Sequence, residues 1–331
     1  MFLIICTLLA IIMLILTNAI TDAPNAICTL VGTKVMPFKK AARLSALFNV
    51  FGIIIMSIVN ISVADTISNM INLNSDTQSL IGLISAILSV VFFAYIALCF
   101  GIPTSETHAL VASLTGSAIA LYGINAINLS EWKNVIIGLG WSVIGTYIIS
   151  KIIQIIYKNI FLKPKQKNVN IIKQAQIFGM CGMSFMHGAQ DGQKFIGVLI
   201  LLTSILKGIT SPNLSNPFEY IEIIIFVAII MYVGVSIGGK KIVDNIGENM
   251  TKLDNSQALL TDISTAVTLL IASITGLPVS TTHVKTVSII SISKKEKLNK
   301  SVTKSVIKAW IYTFPICFIL AYILTVILNM L

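Results

Sequence analysis

Gly101-Ile102-Pro103-Thr104-Ser105-Glu106-Thr107-His108 returns later in the chain as Gly276-Leu277-Pro278-Val279-Ser280-Thr281-Thr282-His283. Gly, Pro, Ser, Thr and His stand in register in the two copies, and each copy lies between two apolar segments. Gly-x-Pro stops a helix, because proline has no N–H to donate and its ring clashes with the preceding turn. The Ser and Thr that follow are helix N-caps. Each copy therefore reads as a helical hairpin whose second helix begins at the tip. The free N–H groups of that first turn, at the positive end of the helix dipole, suit an anion. Ser105, Thr107, Ser280, Thr281 and Thr282 can donate hydroxyls to the same anion. The alternative is that they only bond back to their own helix. A single copy would favour that alternative; a matched pair favours a shared site.

The surroundings of the hairpins are lipid-like. Of 331 residues, 56% are hydrophobic and 11% charged, where soluble domains carry about 25% charged residues. Apolar runs at 2–16, 44–61, 80–100, 135–156, 221–237 and 309–328 approach or reach the roughly 20 residues a membrane-spanning helix needs. They do not alternate as the strands of a membrane barrel would, and helices satisfy their own backbone in hydrocarbon. The net charge of +10 reads as topology and not as a nucleic-acid surface, since cytoplasmic loops are enriched in Lys and Arg. Cys6, Cys28, Cys99, Cys181 and Cys317 are scattered without metal-ligand spacing or a disulfide framework. The first apolar run lacks a basic leader and a small-residue cleavage site, so it is expected to be a retained helix.

Loop charge orders the segments. Lys34, Lys39, Lys40 and Arg43 form a first basic loop; Lys158, Lys163, Lys165, Lys167 and Lys173 a second. Lys240, Lys241 and Lys252, among Asp244, Glu248 and Asp254, and then Lys294, Lys295, Lys297, Lys300 and Lys304 form two more. These are expected inside, and the charge-poor loops around 65–76 and 207–219 outside. The plan is a membrane repeat at 1–157, a basic cytoplasmic connector at 158–177 and a second repeat at 178–331. Five segments fall in the first half (1–33, 41–62, 80–100, 107–122, 134–157) and five in the second (178–206, 220–238, 255–275, 279–293, 304–329). An odd number of crossings inverts one half relative to the other and leaves both termini outside. The expected fold is an all-α integral membrane protein of two inverted-topology repeats, with broken helices and helical hairpins around a midplane site, the plan of secondary transporters.

A second pair of polar motifs opens the two halves. Asn18-Ala-Ile-Thr21-Asp22-Ala-Pro24-Asn25-Ala26 faces His187-Gly188-Ala-Gln190-Asp191-Gly192-Gln193-Lys194. Aligning Asp22 with Asp191 sets Asn18 against His187, Thr21 against Gln190 and Asn25 against Lys194. Pro24, Gly188 and Gly192 are read as breaks in the two helices. Asp22, Asp191 and Lys194 are ionisable groups at membrane depth, which is a mark of function. Lys194 could instead only pair with Asp191. Asn18, Asp22, His187 and Asp191 are the candidates for holding a cation or a proton. Asp22, Asn25, Gln190, Asp191, Gln193, Lys194 and the hairpin hydroxyls are the candidates for an oxyanion. A carboxylate facing the anion is compatible with a protonated phosphate oxygen and would reject sulfate.

These motifs resemble the inorganic phosphate transporter family of phosphate–cation symporters, in its prokaryotic form. Asn18, Asp22, Asn25, Ala26 and the pair Gly32, Thr33 match the first family motif. Residues 184–194 are similar to the second, and 276–283 to the late hairpin without departure. The resemblance covers nearly the whole chain. It implies phosphate uptake across the cell membrane by alternating access, coupled to Na⁺ or H⁺, with no cofactor, and a possible homodimer. Ala19 and Gln190 depart from the usual Gly or Asp and Asn. Glu106 stands where the second repeat has Thr281 and adds an ionisable group at the tip, expected to titrate during transport. Sulfate or a metal–phosphate complex as cargo and, further off, an anion channel remain alternatives within the same architecture. Ser105 with His108, or Ser280 with His283, could formally serve an intramembrane hydrolase, but duplication has no catalytic purpose and no enzyme is expected.

Overall fold

A computed structural model describes the chain except for residues 101–103, 162–168, 210, 245, 248–249, 295, 297 and 331. The Gly-x-Pro break of the first hairpin, the lysines at 163, 165 and 167, Glu248, and the lysines at 295 and 297 therefore lie outside the described residues. The described chain is helical, with isolated β-bridges at Ile71–Ile127 and Thr251–Leu298.

The helices are α1 (Phe2–Thr21), α2 (Pro24–Gly32), α3 (Phe38–Val59), α4 (Ser62–Asn69), α5 (Thr77–Phe100), α6 (Glu106–Tyr122) and α7 (Leu129–Gly140). A π-helical turn at Trp141–Gly145 leads into α8 (Thr146–Phe161). Then come α9 (Val169–Lys207), α10 (Ile221–Ile237), α11 (Lys240–Asp244), α12 (Asn255–Ile274), α13 (Thr281–Ile292) and α14 (Lys300–Met330). Among the described residues, 7 stretches are long and apolar enough to cross a membrane. They keep large apolar side chains such as Phe92, Ile144, Ile229 and Ile311 on their outer faces, which water would not tolerate in such number but lipid does. The multi-pass membrane protein expected from composition is what the chain builds.

All ten expected segments contain a helix. Two short ones, α4 and α11, were not expected. α4 carries Ser, Thr, Asp and Asn and looks like loop, yet Val63, Ala64, Thr66, Ile67 and Ser68 are buried against α9. One expectation is corrected. The polar segment of the second half is not a break: α9 is a single helix of 39 residues that runs straight through Gly188 and Gly192. Those glycines serve close packing instead. A Cβ on Gly188 would lie 2.2 Å from the Asn49 carbonyl oxygen of α3, and one on Gly192 would lie 2.4 Å from Ile53. Glycine inside a helix is tolerated where another backbone must approach this closely. The first half does break: α1 ends at Thr21, and α2 begins at Pro24, a favoured first-turn position for proline.

The packing of the two halves is reciprocal. α3 lies on α9, and α10 lies on α1. α14 lies against the α5–α6 hairpin, while α8 lies against the α12–α13 hairpin. Each half thus gives its last helix to the other half's hairpin. The short helices follow suit, α4 on α9 and α11 on α2.

Candidate functional site

The ends of α1, α2, α6 and α13 meet the middle of α9 in one buried cluster. Asp22 sits at the C-cap of α1 and is 2% exposed. One carboxylate oxygen accepts from the Asn25 amide and from the Thr282 hydroxyl. The other accepts from Thr281 Oγ1 at 2.9 Å. The same hydroxyl lies 3.5 Å from Asp191 Oδ2. The two carboxylates thus flank the first turn of α13, whose N–H groups have no carbonyl partner within the helix.

Asp191, His187 and Lys194 share one face of α9, as spacings of three and four residues require. Lys194 Nζ donates to Asp191 Oδ1, to Thr107 Oγ1 and to the Val279 carbonyl, each at 2.7 Å. All three of its donors are therefore engaged by protein. Asn49 of α3 hydrogen-bonds to His187 Nδ1 at 3.1 Å, a contact that Nε2 does not share. That nitrogen lies 3.3 Å from Asp191 Oδ2 but without hydrogen-bond alignment. One ligand atom each from Asp22, His187 and Asp191 falls within 4.8 Å of the others. Around them, Asn18 Oδ1, Asn25 Oδ1 and Glu106 Oε2 are buried oxygens with no protein partner. Glu106 spends its other oxygen accepting from Thr21 at 3.1 Å. Buried acceptors without donors are costly.

The two hairpins touch each other at matching residues. Ser105 donates to Ser280 at 2.9 Å, and the His108 and His283 rings pack edge to face at 4.4 Å. Both serines also cap their own helices, accepting from the backbone N–H of His108 and His283. A serine from the π-helical turn supports the junction: Ser142 Oγ accepts from the Ser280 N–H at 3.0 Å.

The expected site residues therefore separate into two groups. Asn18, Asp22, Asn25, Glu106, Thr107, His187, Asp191, Lys194, Thr281 and Thr282 lie in the central cluster. Ser105 and Ser280 act as caps and as the hairpin joint. Gln190 is held by Ser273 Oγ at 3.0 Å and by the Leu277 carbonyl at 3.3 Å, which fixes the turn before α13. Gln193 accepts from the Val63 N–H and donates to the Asn60 carbonyl, pinning the α3–α4 junction. Asn49 and Ser142, which lie outside every motif, take part as well, and so does Thr21 of the first motif. So does a second buried ion pair, Lys285 of α13 with Asp262 of α12. Lys285 had a signal, a lysine inside an apolar hairpin; Asn49 and Ser142 had none, because only packing brings them in.

The sequence profile of the phosphate transporter family matches residues 18–172 and 163–321. A probable low-affinity inorganic phosphate transporter of Bacillus subtilis is 29% identical over 282 residues, covering 85% of this chain and 83% of its own length. One of Rhizobium meliloti is 27% identical over 288 residues, covering 85% and 82%. A solved structure described as the sodium-dependent phosphate transporter superposes over the full length of both chains with a TM-score of 0.79, at 22% identity. That likeness establishes the fold.

Proposed function

We propose that this chain, which belongs to the phosphate transporter family, moves inorganic phosphate across the cell membrane together with Na⁺. One observation carries the reading. The donors an oxyanion needs, the Thr281 and Thr282 hydroxyls and the Lys194 ammonium, are all turned onto Asp22 and Asp191. A cation arriving at those carboxylates would compete for the same oxygens and release the donors toward phosphate. The curated relatives bear names that specify inorganic phosphate.

The order of binding follows from charge. Asp22 and Asp191 face one Lys194, so two carboxylates meet a single ammonium before any ligand arrives. An anion entering first would meet net repulsion; a cation entering first removes it. Oxygen donors are abundant and Na⁺ is a hard cation, so the unpartnered oxygens of Asn18 and Asn25 fit beside Asp22. Phosphate then meets Thr281, Thr282, Lys194 and the first turn of α13. A protonated phosphate oxygen donates to a carboxylate, which selects against sulfate. Both steps take place where the two repeats meet, and the reciprocal exchange of last helices supports their rocking as two inverted bodies. The basic loops lie on the cytoplasmic side and the termini outside.

Proton coupling is the second reading, favoured by Glu106 Oε2, a buried carboxylate oxygen with no partner. Radiolabelled phosphate uptake into proteoliposomes separates the two. With Na⁺ coupling, an inward Na⁺ gradient drives accumulation, an inward proton gradient alone does not, and excess sulfate does not compete. Accumulation on the proton gradient alone transfers the role to Glu106. Competition by sulfate refutes the phosphate selectivity.

A further inference from the structure

Lys285 is fully buried and follows Thr281 and Thr282 by one turn of α13. It is ion-paired with Asp262 and donates to Thr29 Oγ1 at 3.1 Å. Thr29 donates to the same Asp262 oxygen at 2.7 Å. The other oxygen, Asp262 Oδ2, is buried with no partner.

These groups lie on a ladder that leads out of the central cluster. Asn25, Thr29 and Thr33 recur every four residues and so share one face of α2. Asn25 donates to Thr282 at 3.0 Å, Thr29 meets Lys285, and Thr33 accepts from Gln176 at 2.8 Å. One residue further, Lys34 is exposed. The face that α2 turns to α13 and then to α9 is thus polar from the Asp22 cluster towards Lys34.

Packing does not ask for charges at this place. Removing two ions from water is expensive, and an apolar pair of similar volume usually holds a fold as well or better. The other half of this molecule has apolar residues at the matching positions. The register that sets Ser280 on Ser105 sets Lys285 on Leu110 and Asp262 on Ile87, both buried apolar side chains.

Building on the phosphate reading, we propose that Lys285 and Thr29 form a second oxyanion station on the route between the central cluster and the Lys34 end of α2. Asp262 holds the Lys285 ammonium while the station is empty. When phosphate arrives it displaces the carboxylate, and the returning carboxylate displaces phosphate. A station must bind well enough to admit the ion and weakly enough to release it; a competing carboxylate supplies the second property.

The test uses the full chain, with inorganic phosphate as the probe and two readouts, uptake by proteoliposomes and thermal stabilisation by phosphate in detergent. Replacing the pair by the first half's residues, K285L with D262I, keeps phosphate stabilisation through the central cluster but lowers the uptake rate about ten-fold or more, the size of one charged hydrogen bond lost. Asp262→Asn removes the competitor, so phosphate stabilises at lower concentration while uptake slows. Uptake at the wild-type rate in the double variant overturns the proposal, because the pair would then serve packing alone. So does an unchanged phosphate dependence in Asp262→Asn, which remains readable if the double variant fails to fold. A wild type that is neither stabilised by phosphate nor takes it up refutes the transport reading itself, an outcome distinct from either of these.

Discussion

The same polar motif opens both halves, and the two copies are built differently. In the first, α1 stops at Thr21 and α2 starts at Pro24, so Asp22 sits between two helix ends. In the second, α9 runs unbroken and Asp191 projects from the middle of a helix. The break leaves side-chain oxygens of Asn18 and Asn25 without partners. The unbroken helix holds His187, Asp191 and Lys194 in fixed spacing, with every donor of Lys194 engaged. The first copy is thus rich in free acceptors, which suits a cation. The second carries the positive charge, which suits an anion. Two similar motifs built in different ways thus give one buried cluster two complementary faces.

The sharpest way to break this comparison is to neutralise each aspartate in turn. Asp191→Asn strips a buried lysine of its carboxylate, and breaking one side of a buried pair costs about 3–5 kcal/mol. Asp22 accepts only from uncharged donors, so Asp22→Asn costs about 1–3 kcal/mol. Both variants lose Na⁺-driven uptake. Thermal unfolding in detergent should rank Asp191→Asn well below Asp22→Asn; the reverse order would mean that the break, and not the intact helix, carries the structural ion pair.

A smaller effect tests why one copy needs its glycines. Gly188→Ala drives a methyl group into the Asn49 carbonyl, 2.2 Å away, and overpacking of this kind costs about 1–3 kcal/mol. The shift also draws Asn49 away from His187, so the Na⁺ concentration for half-maximal uptake rises. Pro24→Ala in the first copy keeps a residue acceptable at the first helical turn and costs less than about 1 kcal/mol. Equal losses from the two changes would show that α3 can retreat from α9 without cost.

Much of this was legible in the chain and some was not. The starts of the helices Glu106–Tyr122 and Thr281–Ile292 announced themselves, because the serine before each encodes a cap locally. Six of the seven long apolar stretches were equally plain; the seventh, Asn255–Ile274, carries enough Ser, Thr and Asp to hide its length as an apolar run. What failed was the fate of Gly188 and Gly192, since a glycine that breaks a helix and one that admits a neighbour look alike until the neighbour is known. α4 was invisible for a related reason: its polar residues read as loop, but tertiary burial against α9 overrides propensity. Gln190 and Gln193 sit in a motif with a site residue on either side, yet their amides brace backbone turns. Lys285 is a lysine in an apolar hairpin with no duplicate in the first half, so it stands outside the pattern of the repeated motifs.

Glu106 offers the finest test, because it is a charge that one hairpin has and the other lacks. Its counterpart in the second copy is Thr281, which donates to Asp22, whereas Glu106 accepts from Thr21 and leaves Oε2 unpartnered. If Glu106 takes and releases a proton during each cycle, Glu106→Gln should flatten the dependence of uptake on pH. A glutamine can still accept from Thr21 through its amide oxygen and is nearly the same size, so stability should change by less than about 1 kcal/mol, a typical net hydrogen bond. Uptake measured from acid to alkaline conditions at fixed Na⁺ then separates two roles. A flattened profile with unaltered Na⁺ dependence makes Glu106 a proton carrier beside the Na⁺ site. A profile of unchanged shape with weaker Na⁺ dependence makes it a further oxygen donor to the cation, and the extra charge of the first hairpin then belongs to the acceptor-rich face that the broken helix began.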